Sequence, residues 1–170
     1  MKDFSSFLPL LPSIALLTGC SNASKQEAKH NQVQKPNVIY LIADDLGIGD
    51  LSCYGATKVS TPNIDRLAGQ GIQFTNAYAT SSTSTPSRFG ILTGMYPWRQ
   101  KNTGIAPGNS ELIIDTACVT MADMFREEGY TTAAIGKWHL GLGPKGGTDF
   151  NHEIRPNTQD IGFDYEFIIP

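Results

Sequence analysis

Three groups of side chains in this sequence have the types and spacing that chemistry requires: the adjacent carboxylates Asp44 and Asp45, the hydroxyl of Ser84 with Arg88 on the following turn, and the pair Lys137 and His139. Adjacent carboxylates repel each other unless a positive group lies between them, and a hard divalent cation does this with oxygen ligands. An arginine fork grips tetrahedral oxyanions, and a lysine beside a histidine combines a positive charge with a titratable partner. Each group therefore suits chemistry on an anion or at a metal ion.

Ser84 precedes a segment that has the sequence signals of a helix. Pro86 suits the first helical position, because its missing N–H has no partner there in any case. Thr85 is then the predicted N-cap, and Gly94 is the residue predicted to end the helix. Ser84 would lie just outside the N-terminus, where free N–H groups and the helix dipole favour an anion. A nucleophile site and an ordinary capped surface helix both fit this local pattern.

Asp44 and Asp45 follow an apolar, largely β-branched run at residues 38–43. Such a run predicts a central parallel strand that is buried on both faces. Open α/β sheets bind ligands beyond the carboxyl ends of their strands. This position favours a metal site at the two aspartates, whereas a solvated acidic turn is the alternative for an isolated Asp-Asp pair.

Lys137 and His139 follow a second predicted strand, at residues 130–136. Alternation along an extended segment would place both side chains on the same side. The pair therefore predicts an anion site with a titratable partner, and a solvated strand end is the alternative. His152 lies in a Gly- and Pro-rich loop at residues 141–157, and it is more simply explained as a loop residue than as a substrate contact.

The elements that must position these groups alternate between strands and helices. Apolar periodicity and capping signals predict helices at residues 61–68 and 119–128, and further strands at residues 72–78 and 161–167. We expect an α/β fold, with a mixed, mostly parallel sheet flanked by helices and right-handed crossovers. The chain has 170 residues and ends in an apolar run, so we expect residues 37–170 to be an incomplete, truncated part of a catalytic domain.

The beginning of the chain has the pattern of an export signal. Residues 1–20 contain an apolar stretch that two prolines interrupt and that is too short to span a bilayer. The stretch ends in Leu-Thr-Gly-Cys, which resembles the lipobox of bacterial lipoproteins and implies lipidation at Cys20; a plain secretory signal is the alternative. Residues 21–36 are polar and predict a flexible tether. We therefore expect a bacterial protein in the periplasm or at the cell surface that meets a membrane through its lipid anchor alone.

Composition narrows the partners further. The net charge is −3 and the charges are dispersed, so nothing indicates a nucleic-acid groove or a basic membrane patch. Besides Cys20 the chain has Cys53 and Cys118. Two buried free thiols are the favoured interpretation of these two cysteines, and a disulfide in an oxidising compartment is the alternative.

Three motifs together resemble those of one family. The pattern Ser-x-Pro-Ser-Arg-x-x-x-Leu-Thr-Gly over residues 84–94 resembles the signature of the type I, formylglycine-dependent sulfatases of the alkaline-phosphatase superfamily, in its Ser-type form. Asp-Asp-Leu-Gly from Asp44 resembles the first metal-ligand pair of that family. Gly-Lys-Trp-His-Leu over residues 136–140 resembles its second signature. The resemblance covers roughly residues 36–167, and it implies a sulfatase-like α/β fold.

The resemblance also implies a covalent modification. A separate maturase would oxidise Ser84 to Cα-formylglycine, and the aldehyde hydrate would be the nucleophile that attacks the sulfur of a sulfate ester. One hydroxyl of the hydrate takes up the sulfate and expels the alcohol, and the other then releases sulfate and restores the aldehyde. An unmodified serine ester cannot expel sulfate in this way, which explains why the residue is modified.

The same resemblance implies a role for each remaining candidate. Asp44 and Asp45 would hold one Ca²⁺ together with the modified serine. Arg88 would orient the hydrate, Lys137 would bridge it to the sulfate, and His139 would be the base that drives elimination. Positive groups aimed at the sulfate oxygens would supply much of the catalysis, because charge spreads over those oxygens as the ester breaks.

The expected substrate is a sulfated glycan or an aryl sulfate, by the habit of the family. A phosphodiesterase or phosphonate monoester hydrolase of the same superfamily is one alternative, and a non-catalytic surface lipoprotein with a vestigial site is another. Two carboxylates and one hydroxyl fall short of the roughly six to eight oxygen ligands that Ca²⁺ takes. We therefore expect this chain on its own to bind Ca²⁺ weakly and to hydrolyse sulfate esters poorly or not at all.

Overall fold

The structure, a computed structural model, describes residues 34–170. The predicted export signal, the lipidation site Cys20 and the tether as far as residue 33 lie outside the described residues. Residues 34–41 belong to a first unit, and their backbone is exposed and has no regular secondary structure. Residues 42–170 form the second unit, which contains every helix and strand of the described part. Within that part, no helix is long and apolar enough to cross a bilayer.

Three helices precede two strands in the second unit. In chain order these elements are α1 (Pro62–Gln70), α2 (Ser84–Thr93), α3 (Met121–Glu127), β1 (Ala133–Lys137) and β2 (Tyr165–Ile169). Two short 3-10 turns precede α1, at Ile48–Asp50 and Ser52–Tyr54, and two more lie between later elements, at Pro97–Arg99 and Thr158–Ile161. The mixture of helices with a parallel sheet confirms the predicted α/β class.

The two strands form a parallel pair. Ala133 lies opposite Tyr165 and Lys137 lies opposite Ile169, and the N–H of Trp138 extends the pairing by donating to the carbonyl of Ile169 at 2.8 Å. The start of this ladder is fixed by Asp164, whose carboxylate accepts the N–H of Thr132 at 2.9 Å. That hydrogen bond lowers the pKa of Asp164, because it favours the charged form. Lys137 is thereby placed at the carboxyl end of a strand that is held in register.

Two predicted strands do not form. Residues 38–43 and 72–78 have no ladder hydrogen bonds, and large apolar side chains in both segments are exposed, with Ile39 at 83% and Ile72 at 84%. An apolar run becomes a buried strand only where neighbouring strands satisfy its backbone. In the second segment, side chains supply contacts instead: Tyr54 donates to the carbonyl of Phe74, and Gln73 donates to the carbonyl of Cys53.

The helix that carries Ser84 begins earlier than predicted. Thr83 is its N-cap, so Ser84 is the first helical residue rather than a residue outside the helix, and Thr85 is not the cap. Pro86 is therefore the third helical residue, where its missing N–H still costs no hydrogen bond because the first N–H groups of a helix have no partner within it. The predicted end is confirmed: Gly94 takes the left-handed conformation with φ 66° and bonds to the carbonyl of Gly90.

The other elements lie at the expected places: α1 extends to Gln70, beyond its predicted end, whereas α3, β1 and β2 are shorter than predicted. A capping box starts α3, because Thr120 accepts the N–H of Asp123 and the Asp123 carboxylate accepts the N–H of Thr120. β1 begins at Ala133 rather than at residue 130. β2 begins at Tyr165 rather than at residue 161, because a 3-10 turn and Gly162 in the left-handed region interrupt the extended pattern.

The hydrophobic core lies beneath α2 and β1. Its members are Phe89, Ile114, Ala134, Trp138, Leu140, Leu142 and Ile161. Phe89 is fully buried and anchors the helix that carries Ser84, whereas the apolar side chains of α1 that were predicted to pack, Ile64 and Leu67, are exposed. Cys53 and Cys118 are free thiols, as expected, although both are half-buried rather than buried. Burial raises the pKa of the Cys118 thiol.

Alanine substitution at two glycines with similar backbone conformations tests how tightly the chain packs just after the end of β1. Gly141 has φ 68° and Gly94 has φ 66°, so alanine at either position pays the left-handed cost of about 1–2 kcal/mol. A Cβ on Gly141 would also meet the carbonyl oxygen of Glu111 at 1.8 Å, whereas a Cβ on Gly94 meets nothing within 4 Å. We expect the loss in free energy of unfolding to be several times larger for Gly141→Ala than for Gly94→Ala. Equal losses in denaturant titrations would contradict this packing.

Candidate functional site

The guanidinium of Arg88 joins three segments of the chain. Its Nε donates to the hydroxyl of Ser84, one turn earlier on α2, at 2.9 Å. Its Nη1 donates to the backbone carbonyl of Lys137, at the end of β1, at 2.7 Å. Its Nη2 lies 3.6 Å from a carboxylate oxygen of Asp44. The side chain is only 11% exposed, so the fork is fixed by its partners and lies partly shielded from water.

Asp44 forms a second ion pair, with Lys137. The Lys137 ammonium lies 2.6 Å from the other carboxylate oxygen of Asp44, and each side chain is 42% exposed. The hydrogen bond from Lys137, supported by the positive charges of Lys137 and Arg88, lowers the pKa of Asp44. Two cations therefore face the one carboxylate of Asp44, and one of them, Arg88, also holds the Ser84 hydroxyl at the start of α2.

Asp45 lies beside this cluster on an unusual backbone. It has φ 61°, in the left-handed region that aspartate tolerates better than most residues. Its side chain is exposed, and the described residues offer it no hydrogen bond or ion pair. Nor does the described chain contain any group of three or more His, Cys, Asp or Glu side chains that could hold a metal ion.

His139 is linked to α2 through Thr85. The Thr85 hydroxyl donates to the backbone carbonyl of His139 at 2.9 Å, and the His139 ring Nε2 lies 3.0 Å from the carbonyl oxygen of Ala106. His139 has φ 56°, so the chain turns after β1 instead of remaining extended. The strand alternation on which the same-side prediction rests therefore does not extend to His139.

The structure thus brings four of the predicted residues into direct contact, namely Asp44, Ser84, Arg88 and Lys137. His139 is connected to them through the backbone and through Thr85. His152 is 79% exposed and lies 3.5 Å from Asp149 in its own loop, as the loop interpretation expects. The sequence did not indicate that Thr85, predicted only as a helix cap, and Ala106 contact His139. Thr85 occupies a variable position of its motif, and nothing in the sequence around Ala106 marks it as a neighbour of a histidine.

Comparison with known proteins identifies the family. The Sulfatase family matches residues 36–168, and the chain belongs to this family. Over its whole length the chain is 78% identical to N-acetylgalactosamine-6-O-sulfatase of Bacteroides thetaiotaomicron, of which it covers 33%. The predicted family is therefore confirmed, and the chain spans about a third of the length of this relative.

Solved structures agree on the fold. A structure from work on the metabolism of multiple glycosaminoglycans by Bacteroides thetaiotaomicron is 85% identical, with a TM-score of 0.79 over 81% of this chain and 28% of that chain. The structure of Ps i-CgsB in complex with k-i-k-neocarrahexaose is 34% identical, with a TM-score of 0.66 over 81% of this chain and 29% of that chain. The described residues therefore form part of the sulfatase-like α/β fold.

Removal of the Lys137 ammonium tests the origin of the lowered Asp44 pKa. We expect Lys137→Met to raise the pKa of Asp44 towards its ordinary value, because the largest stabilisation of the carboxylate is lost. Lys145→Met, which removes an exposed lysine from a different loop, should leave it unchanged. Carboxyl carbon chemical shifts followed by NMR between about pH 2 and 6 report this pKa directly.

The sign of the pH effect on stability follows from the same shift. A carboxyl whose pKa is lowered in the folded state stabilises the fold above its ordinary pKa, and this contribution disappears as the pH falls through the lowered value. Wild type should therefore lose the Asp44 contribution on acidification, whereas Lys137→Met should lose less over the same range. An Asp44 pKa that does not change in Lys137→Met would contradict the assignment.

Proposed function

We propose that this chain carries catalytic groups of a sulfatase that hydrolyses sulfate esters on sulfated glycans. The observation that carries the proposal is a chain of contacts: Arg88 holds the Ser84 hydroxyl, and Arg88 and the Lys137 ammonium both lie against the carboxylate of Asp44. A hydroxyl held among cations suits a reaction that places negative charge on the oxygens of a leaving sulfate. Membership of the sulfatase family supports the same reaction class.

The substrate class follows from the relatives. A relative that is 78% identical over the whole chain is named N-acetylgalactosamine-6-O-sulfatase, and a structural neighbour has been solved with a carbohydrate, k-i-k-neocarrahexaose. We propose a sulfated glycan for this chain too, with 6-O-sulfated N-acetylgalactosamine as the first substrate to test. An aryl sulfate serves as a general probe because it needs no carbohydrate recognition.

Ser84 is proposed as the precursor of formylglycine, made by a separate maturase. The modified residue would supply an aldehyde hydrate as the nucleophile. Three neighbouring residues would assist this hydrate. Arg88 Nε already donates to the Ser84 oxygen and would orient an oxygen at the same place. The Lys137 ammonium, which contacts the other carboxylate oxygen of Asp44 from the one nearest Arg88, would pair with a sulfate oxygen. His139 would accept the proton that is released when the sulfate leaves.

Calcium is the proposed metal, and the donor types suit it. Asp44, Asp45 and Ser84 offer the hard oxygen ligands that Ca²⁺ prefers, although they are too few for a full shell. The carboxylate of Asp44 is also engaged by Lys137 and Arg88. Ca²⁺ would have to compete with these cations for the same oxygens, so we expect weak binding by these residues alone.

We also propose an exported, lipid-anchored location. Its support is the sequence Leu-Thr-Gly-Cys that ends at Cys20 after a short apolar stretch, followed by a polar segment to residue 36. Such an anchor would place the enzyme where polymeric glycans outside the cell can reach it. Mass spectrometry of the N-terminal peptide from the native host would detect a lipidated Cys20.

Modification and hydrolysis at Ser84 test the proposed function. The full chain is co-expressed with a formylglycine-generating maturase, and the peptide that contains Ser84 is weighed. We expect a peptide lighter by the mass of two hydrogen atoms. We also expect slow release of sulfate from a 6-O-sulfated N-acetylgalactosamine glycan and from an aryl sulfate, which ion chromatography measures over long incubations.

Ser84→Ala is the control for both readouts, because it removes the oxygen and leaves the helix intact. It should show neither the mass change nor any sulfate release above background. An aryl phosphate provides the second comparison and should be cleaved more slowly than the aryl sulfate. Unmodified Ser84 in the presence of the maturase would contradict the proposed function, and so would a release of sulfate above background that Ser84→Ala retains.

A further inference from the structure

The ring and the backbone of His139 are held by a closed set of hydrogen bonds. The buried hydroxyl of Thr85 donates to the carbonyl of His139 at 2.9 Å and accepts the N–H of Ala106 at 3.1 Å. The carbonyl of the same Ala106 lies 3.0 Å from Nε2 of the His139 ring. Thr85 and Ala106 therefore hold the backbone carbonyl and the ring of His139, respectively. Thr85 is also the residue that follows Ser84 in α2.

The partner of Nε2 determines where the ring carries its proton. A backbone carbonyl oxygen can only accept a hydrogen bond, so Nε2 must be the donor and must carry hydrogen. In the neutral imidazole the other nitrogen, Nδ1, then keeps a free lone pair. Nδ1 is buried and has no hydrogen-bond partner among the described residues. Nδ1, the basic nitrogen of this tautomer, is therefore not engaged in a hydrogen bond among the described residues.

We propose that Thr85 is a positioning residue: by holding the Ala106 carbonyl against Nε2 of His139, it keeps the proton on Nε2 and leaves Nδ1 as the atom that accepts a proton. The role of Nδ1 in sulfate release rests on the proposed function, whereas the protonation state of the ring does not. Thr85 acts through His139 and touches no reacting atom. Its hydroxyl is essential because one oxygen must donate to His139 and accept from Ala106 at once, which a methyl group cannot do.

The substitution Thr85→Val removes this hydroxyl with little change of shape. NMR on protein labelled with ¹⁵N in its histidines follows the ring. In wild type we expect a slowly exchanging N–H resonance on Nε2 of His139 and an unprotonated Nδ1. Thr85→Val should lose the Nε2 resonance through exchange with solvent, and Thr85→Ser, which restores a hydroxyl, should recover it. His152 is exposed and should show no such resonance in any of these proteins.

A neighbouring threonine provides the matched control. Thr103 is also buried, lies in the same loop as Ala106 and donates to the carbonyl of Pro97 at 2.7 Å, away from the His139 ring. Thr103→Val should lower stability yet retain the Nε2 resonance, which separates positioning of the ring from general damage. If Thr85→Val does not fold, the wild-type spectrum decides: a proton on Nδ1 with Nε2 bare would overturn the proposal.

The rate of aryl sulfate hydrolysis tests the positioning role of Thr85 independently of the NMR spectra. In chains that carry oxidised Ser84, Thr85→Val should lower kcat for an aryl sulfate at least tenfold with little change in KM, whereas Thr103→Val should keep most of the rate. An unchanged kcat in Thr85→Val would overturn the positioning role. If Ser84 stays unmodified in every chain, the proposed function fails, and the Nε2 resonance still tests how Thr85 holds the ring.

Discussion

The three-way contact of the Arg88 guanidinium is the constraint on which the site depends. Its nitrogens reach the Ser84 hydroxyl, the Lys137 carbonyl and the Asp44 carboxylate, which belong to segments far apart in sequence. Only a planar fork with donors in fixed directions can serve three acceptors in this way, so a lysine would not replace it. Phe89, the next residue on the helix, is fully buried. The hydrophobic core thereby holds α2 in place, and α2 in turn positions the guanidinium of Arg88.

The charges around this fork are arranged for an anion, although one carboxylate already occupies part of it. Arg88 is largely shielded from water, whereas Lys137 and Asp44 are each 42% exposed. Attraction to an incoming sulfate should therefore be stronger beside Arg88 than at the more solvated ammonium of Lys137. Asp44 would either balance the two cations or bind a metal ion, and a metal ion would free both cations for the sulfate. The ion pairs of Arg88 and Lys137 with Asp44 could therefore be replaced by pairs with a bound sulfate.

Local signals made much of the site predictable from the sequence. The helix end at Gly94 depends on one left-handed glycine, and the contact of Ser84 with Arg88 depends on spacing along one helix. The strand predicted at residues 38–43 failed, because a parallel strand needs neighbours that its own sequence does not specify. Thr85 was assigned only as a helix cap for a similar reason: its contact with His139 is to a carbonyl 54 residues away. Non-local partners decide both cases, and a single sequence does not encode them visibly.

We propose that Ser84, Arg88 and Lys137 form one preassembled binding site for a tetrahedral anion. Titration of the ¹⁵N-labelled chain with sodium sulfate, against sodium chloride at the same ionic strength, tests it most directly. We expect sulfate-specific shifts that saturate at the backbone N–H groups of residues 84, 85, 87, 88 and 137–139, and that disappear in Arg88→Lys. Shifts that follow ionic strength alone, or that are spread equally over exposed cations such as Lys101, Lys145 and Arg155, would contradict it.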